Sequence, residues 1–93
     1  MKQYKKMLKY SNITADTLIK TGFGRVMGIV VNSHTSGTIK LWDNTSAATT
    51  VITNTYTFPA GSSVINFPNG GISFNTGLYA DIGGTVDLTI VYL

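Results

Sequence analysis

The clearest structural signal in the sequence is the run TVDLTIVY at residues 85–92. Apolar side chains occupy every second position in it, at Val86, Leu88, Ile90 and Tyr92. A period of two is that of a β-strand that buries one face. Val91 interrupts the otherwise polar phase of the run, and Leu93 follows it in the same phase. The run therefore predicts a half-buried strand whose outer face carries apolar surface at its end.

Similar β-prone runs fill the rest of the chain, and glycine, asparagine and serine separate them. The predicted strands are 14–21, 25–33, 37–43, 50–58, 63–67, 72–75, 78–82 and 85–92. Glycine marks the predicted turns because it reaches positive φ without steric cost. These turns are Gly22-Phe23-Gly24, Ser36-Gly37, Pro59-Ala60-Gly61, Asn69-Gly70-Gly71 and Gly83-Gly84, the last predicted to be a hairpin turn.

This pattern predicts an all-β fold, a small antiparallel β-sandwich or jelly roll of about 7–8 short strands, with a partly open barrel as the alternative. The predicted core is formed by the inward phase of the strands. It consists of Ile29, Val31, Ile39, Leu41, Ile52, Tyr56, Phe58, Phe74, Leu78, Leu88 and Ile90.

The composition predicts a surface that another protein can cover. Charged residues make up only 12% of the chain, about half the usual ~25%. Threonine, serine and asparagine supply most of the polar groups, and uncharged groups lose less solvation than ions when an interface buries them. A chain of 93 residues without cysteine has a thin core and no disulfide, so we expect neighbouring subunits to add burial.

The positive charge is concentrated at the N-terminus. Lys2, Lys5, Lys6 and Lys9 account for it, because residues 11–93 carry three basic and four acidic side chains, a net charge of −1. On a helix these four lysines would form one basic stripe, and only the first ten residues are candidates for a helix. We therefore divide the chain into a basic arm at residues 1–12 and a β domain at residues 13–93.

The arm has three interpretations: an anchor on an acidic protein partner, a nucleic-acid anchor, or a solvated tail. Four lysines alone bind nucleic acid weakly, so a protein partner is favoured. No signal-peptide core follows the lysines, and no apolar run is long enough to span a membrane. We expect synthesis in the cytoplasm and no membrane association.

The residues that could support catalysis are few. His34 is the only histidine, and it lies in a predicted polar turn, where a solvated loop residue is the simplest interpretation. With no cysteine and one histidine, the sequence predicts no zinc site, and its four scattered aspartates predict no calcium site. Asp43-Asn44-Thr45 is expected to close a turn. We predict no enzymatic activity, no metal and no cofactor.

The residues that suggest binding are the arm lysines and three apolar positions on outward phases, Trp42, Val91 and Leu93. Contact with a loop of the same chain would also explain these three positions. A carbohydrate platform is a further alternative, since aromatic side chains stack on sugars. The aromatic residues considered for it are Tyr10, Phe23, Trp42, Tyr56, Tyr79 and Tyr92, of which Trp42 fits best.

Three runs of the sequence resemble small virion proteins of tailed bacteriophages. They are the segments from Thr17 to Ile29, from Ser36 to Asp43 and from Gly77 to Thr85. The resemblance covers most of residues 14–92 and implies a capsid-associated or tail-associated β-sandwich that is used in many symmetric copies. It implies no catalytic residues, and the basic arm is not part of it.

We therefore expect a non-enzymatic virion structural protein, of the capsid auxiliary or decoration type. It would bind the major capsid protein or other virion subunits, and also itself. The alternatives are a carbohydrate-binding or host-attachment module of a phage tail, and a nucleic-acid-associated protein that uses the arm.

Overall fold

The computed structural model describes residues 8–93, which form one antiparallel sheet of seven strands and contain no helix. The strands are β1 (Lys9–Ile13), β2 (Thr17–Thr21), β3 (Gly24–Trp42), β4 (Val51–Thr57), β5 (Ser63–Asn66), β6 (Ile72–Phe74) and β7 (Gly77–Tyr92). The all-β prediction is confirmed for this part of the chain.

The two long strands β3 and β7 form the centre of the sheet. They pair with each other from Val26 opposite Tyr92 to Trp42 opposite Tyr79. The shorter strands extend this central pair on both sides: β1 and β2 pair with the two halves of β7, whereas β4, β5 and β6 pair with β3.

The strand β3 bends near its middle. Ten residues of straight strand span about 33 Å, yet Ile29 and Ile39 line the same cleft. A register shift between Thr35 and Thr38 places one extra residue in β3 against β7. Such a β-bulge increases the local bend and twist of a strand. Side chains from both halves of the two long strands therefore reach one core.

The predicted hairpin at Gly83-Gly84 is wrong, because both glycines lie inside β7. Ser36-Gly37 likewise lies inside β3. The predicted strands 25–33 and 37–43 are therefore one strand, β3, and the predicted strands 78–82 and 85–92 are one strand, β7. Both sites do contain the positive φ that glycine signals, with φ of 52° at Ser36 and 73° at Gly84. A bulge and a turn both use this conformation, which explains the error.

The strand β1 was not predicted. Lys9 and Tyr10 belong to it, so the helix considered for the first ten residues is wrong at these two positions. The run predicted as strand 14–21 begins only at Thr17. Before it, the carboxylate of Asp16 accepts a hydrogen bond from the N–H of Ile82 at 2.6 Å, which holds the turn between β1 and β2 against β7.

Nine of the eleven predicted core residues are buried. Ile52 is only partly buried against the core, and Tyr56 is 44% exposed, so the prediction for Tyr56 is wrong. Within residues 8–93 the strand β4 pairs only with β3, so Tyr56, opposite Ile39, lies at the rim of the core. The buried hydrophobic residues of the described chain outside the predicted set are Ile13, Val26, Ala80 and Val86.

Candidate interaction surface

A row of apolar side chains crosses four strands on the outer face of the sheet. Trp42 lies opposite Tyr79 of β7 and Val51 of β4, and Tyr79 lies opposite Leu18 of β2. Residues directly opposite each other in antiparallel strands share a face. Leu18 is 41% exposed, and the other three side chains are partly exposed. We call these four residues the Trp42 row.

The orientation of this row follows from strand alternation. Tyr79 lies between Leu78 and Ala80, both of which are fully buried, so it points to the opposite face. Trp42 follows the fully buried Leu41 in the same way. The prediction that Trp42 lies on an outward phase is consistent with this placement.

Two charged side chains hold the Trp42 ring in place. The ammonium of Lys40 lies 4.4 Å from the centroid of the ring, a cation–π contact. The indole N–H of Trp42 donates a hydrogen bond to Asp81 at 3.3 Å. Lys40 lies on β3 and Asp81 lies opposite it on β7, so the two contacts connect the Trp42 ring to both strands.

The residue after Trp42 anchors the end of β3. The carboxylate of Asp43 accepts hydrogen bonds from the N–H groups of Asn75, Thr76 and Gly77, at 3.0, 2.8 and 3.3 Å. Partial burial acts to raise the pKa of Asp43, but these three hydrogen bonds outweigh it and hold the pKa below its ordinary value of 3.8. Asp43 thus ties the end of β3 to the turn that leads into β7.

Val91 lies in a second apolar area, at the other end of β7. It is opposite Tyr10 of β1 and Gly28 of β3, and the next row contains Val30 opposite Val64 of β5. Tyr10 is 76% exposed and Val64 is 62% exposed. The sequence indicated Val91 but not that Tyr10 is its neighbour, because that contact depends on β1, which the polar segment KYSNI does not predict.

The structure therefore does not bring the predicted apolar residues together. Trp42 lies opposite Tyr79, near the beginning of β7, whereas Val91 lies near the end of the same strand. The backbone of Leu93 pairs with Arg25 in both directions, and its carbonyl oxygen also accepts a hydrogen bond from Lys20 at 3.2 Å. Contacts within the same chain account for the position of Leu93.

Of the arm lysines, only Lys9 lies within the described residues. It is exposed on β1, opposite Tyr92. Lys2, Lys5 and Lys6 lie outside the described residues, and their assignment as partner-binding residues stays a prediction.

His34 is not the solvated loop residue that the sequence predicted. It lies in β3, half-buried, with its ring edge-on to Phe58 at a centroid distance of 5.5 Å. Its Nδ1 accepts a hydrogen bond from the N–H of Gly37 at 3.0 Å. The ring hydrogen of this tautomer is therefore on Nε2, which donates a hydrogen bond to the carbonyl of Pro59. Both ring nitrogens are thus used in local structure.

The aspartates have similar structural tasks. Asp16 and Asp43 accept backbone N–H groups, Asp81 accepts from Trp42, and Asp87 accepts from the side chains of Asn12 and Asn32. Residues 8–93 contain no group of three or more metal-ligating side chains that could hold an ion. They also contain no helix that is long and apolar enough to cross a membrane.

A cleft of about 150 Å³ opens between β3, β4 and β5. Its lining is mostly apolar and comes from Ile29, Ile39, Leu41, Thr53, Asn54, Thr55, Tyr56, Ile65 and Phe67. The sequence could not indicate this cleft, because it exists only where the bend in β3 brings Ile29 and Ile39 to one place.

No family model, curated protein or solved structure matches the chain. What the fold and the surface define is an all-β protein, built from one antiparallel sheet, that exposes apolar side chains at several separate places.

Proposed function

We propose that the chain is a virion structural protein of the capsid auxiliary or decoration type, without enzymatic activity. It binds capsid subunits and further copies of itself, and it resides in the virion after synthesis in the host cytoplasm. We further propose that the bent sheet is a small β-sandwich, in which the two halves of β3 and β7 belong to facing layers.

The observation that carries the proposal is the Trp42 row. It combines an aromatic pair, Trp42 and Tyr79, with two aliphatic side chains on a face that residues 8–93 leave partly exposed. Tryptophan and tyrosine are enriched among the residues that contribute most of the binding energy near the centre of protein interfaces. Since Lys40 and Asp81 already fix the ring, it loses little conformational freedom when a partner covers it.

The test compares Trp42→Ala with Trp42→Phe. The alanine variant removes the aromatic surface and should weaken binding to capsid particles at least roughly tenfold, as expected for a central aromatic residue. The phenylalanine variant keeps an aromatic ring and should retain most of the binding. Co-sedimentation with particles measures binding, and urea unfolding of the free chain checks that the domain remains folded.

If the alanine variant binds particles as the wild-type chain does, the Trp42 row is not the capsid-binding surface. A loss of binding that merely parallels a loss of folding would assign Trp42 a structural role instead.

A carbohydrate-binding or host-attachment role is the second candidate, and the adjacent rings of Trp42 and Tyr79 favour it. Against it, the ammonium of Lys40 covers one face of the Trp42 ring, and sugars stack on such faces. Glycan-array binding that disappears in Trp42→Ala, together with normal particle binding, would establish this role in place of the first. The nucleic-acid alternative depends on the arm lysines.

A further inference from the structure

The turn between β2 and β3 presents an exposed phenyl ring. Phe23 is 79% exposed, the most exposed of the large apolar side chains in residues 8–93. Single exposed apolar side chains are common on protein surfaces, so the exposure of Phe23 indicates a contact only in combination with a site that fits a phenyl ring.

The position of this ring is fixed by the backbone around it. The N–H of Gly22 donates a hydrogen bond to the carbonyl of Thr76 at 2.8 Å. A Cβ on Gly24 would lie 2.8 Å from the ring of Phe74, so the chain there packs tightly against the core. Phe23 therefore stands at the tip of an anchored turn, and little chain entropy is lost when a partner holds it.

The cleft between β3, β4 and β5 has the size and chemistry of a phenyl-binding site. An engineered apolar cavity of about 150 Å³, in another protein, binds benzene. The cleft here has about the same volume, and Ile29, Ile39 and Ile65 are among the side chains that line it. None of the described residues that line it is charged, so a ring can enter without desolvating any of their side chains as an ion.

Phe23 does not fill the cleft of its own chain, because it is exposed and does not line the cleft. We infer that Phe23 of one copy inserts into the cleft of a second copy. The proposed contact is head-to-tail, with each copy offering its ring to one neighbour and its cleft to another. Contacts of this type build rings or filaments of many copies. This inference rests on the proposed function and names the self-contact within it.

The experiment uses one variant on each side of the contact. Phe23→Ala removes the ring and leaves the cleft intact, whereas Thr53→Phe places a ring in the cleft from β4. Thr57→Phe is the matched control, because Thr57 lies on the same strand, is exposed and does not line the cleft. Sedimentation velocity over a concentration series measures association of the full chain.

The wild-type chain and Thr57→Phe should form the same concentration-dependent oligomers. Phe23→Ala and Thr53→Phe should each associate at least roughly tenfold more weakly. An equimolar mixture of these two variants should form a dimer and nothing larger. In it, the Phe23 ring of Thr53→Phe can bind the intact cleft of Phe23→Ala, and no further ring or cleft is left to extend the assembly.

A second measurement does not depend on how well a cleft variant folds. The δ1-methyl resonances of Ile29, Ile39 and Ile65 should shift as the wild-type concentration rises, and Phe23→Ala should abolish these shifts. Oligomers that form equally well in Phe23→Ala overturn the inference. So does a wild-type chain that stays monomeric. Either result leaves the capsid-binding test at Trp42 unaffected, because that test measures a different surface and partner.

Discussion

At the scale of single residues, the charged side chains of this protein hold its surface in shape. Lys40 and Asp81 orient Trp42, and Asp43 binds three consecutive backbone N–H groups. A carboxylate with several N–H donors is stabilised in its charged form. The arrangement at Asp43 therefore has a consequence for stability that depends on pH.

We expect Asp43→Asn to lower the free energy of unfolding by roughly 1–2 kcal/mol at pH 7. A hydrogen bond to a charged group contributes roughly 1.5–3 kcal/mol, and solvent screening at this partly exposed site reduces that contribution. The folded-state pKa of Asp43 is lowered, so its contribution is fully present above the ordinary value of 3.8 and is lost as the pH falls through the folded-state value. Urea unfolding of both chains should show a difference that shrinks below about pH 4.

Asp16→Asn is the control for this prediction, because Asp16 accepts one backbone N–H, that of Ile82, rather than three. It should have the smaller effect at pH 7. Equal losses in the two variants, or a difference at Asp43 that grows with acid, would contradict the argument.

At the scale of elements, the bend in β3 is the feature on which both the core and the cleft depend. Gly84 lies in β7 at this bend with a φ of 73°, and a Cβ there would collide with the backbone of Thr35 and Ser36. Gly61 also has positive φ, of 83°, but a Cβ there would meet nothing within 4 Å. Alanine substitutions at these two glycines therefore separate the cost of backbone strain from the cost of steric collision.

We expect Gly61→Ala to lower the free energy of unfolding by about 1–2 kcal/mol, the cost of a left-handed conformation. Gly84→Ala should lower it by roughly 2–5 kcal/mol, because the collision adds to the same strain. Chemical unfolding measures both values. Similar losses in the two variants would show that the bend tolerates a side chain at this position.

The strand β7 was predictable from the sequence only in part. Alternation in residues 85–92 predicted the buried phase of β7 correctly, because one face of a strand must bury its apolar side chains. Glycine predicted positive φ at Gly84 but not whether the chain turns back or continues there. That outcome depends on the partner strand, since β3 pairs along both sides of the site.

The candidate site was predictable to a similar degree. The phase of the strand placed Trp42 on the outer face, but its neighbours Tyr79 and Leu18 follow from the register of β2 and β7, which local sequence does not encode. The strand positions of Lys9 and Tyr10 were not predicted, because β1 gains its strand structure from pairing with β7 rather than from its own composition.

At the scale of the whole molecule, the surfaces proposed to make contacts are mainly uncharged. Raising salt from about 0.1 to about 1 M shortens the Debye length from about 10 to about 3 Å, which weakens contacts between charges but not apolar ones. We therefore expect the self-association constant to change less than roughly threefold over this range. Sedimentation at both salt concentrations tests this, and a fall of tenfold or more would indicate a charged interface.

The basic arm calls for a different test. Deleting residues 1–7 removes Lys2, Lys5 and Lys6 and leaves β1 intact, so the domain should fold while its occupancy on capsid particles falls. Deleting residues 1–10 also removes the pairs of Lys9 with Tyr92 and Tyr10 with Val91, and should destabilise the sheet as well. Equal occupancy of particles by the chain without residues 1–7 and by the full chain would show that the arm is a solvated tail.

The pairing of β7 has a further consequence for how the chain is made. It joins β1, β2 and β3, yet it is synthesised after all of them. The strands β1 and β2 have no other partner within residues 8–93, and β3 keeps one edge unpaired until β7 arrives. Contacts between segments so distant in sequence form slowly, and exposed strand edges invite aggregation. The nascent chain therefore leaves the ribosome with its sheet still open, and folding is completed only after residues 77–92 have emerged.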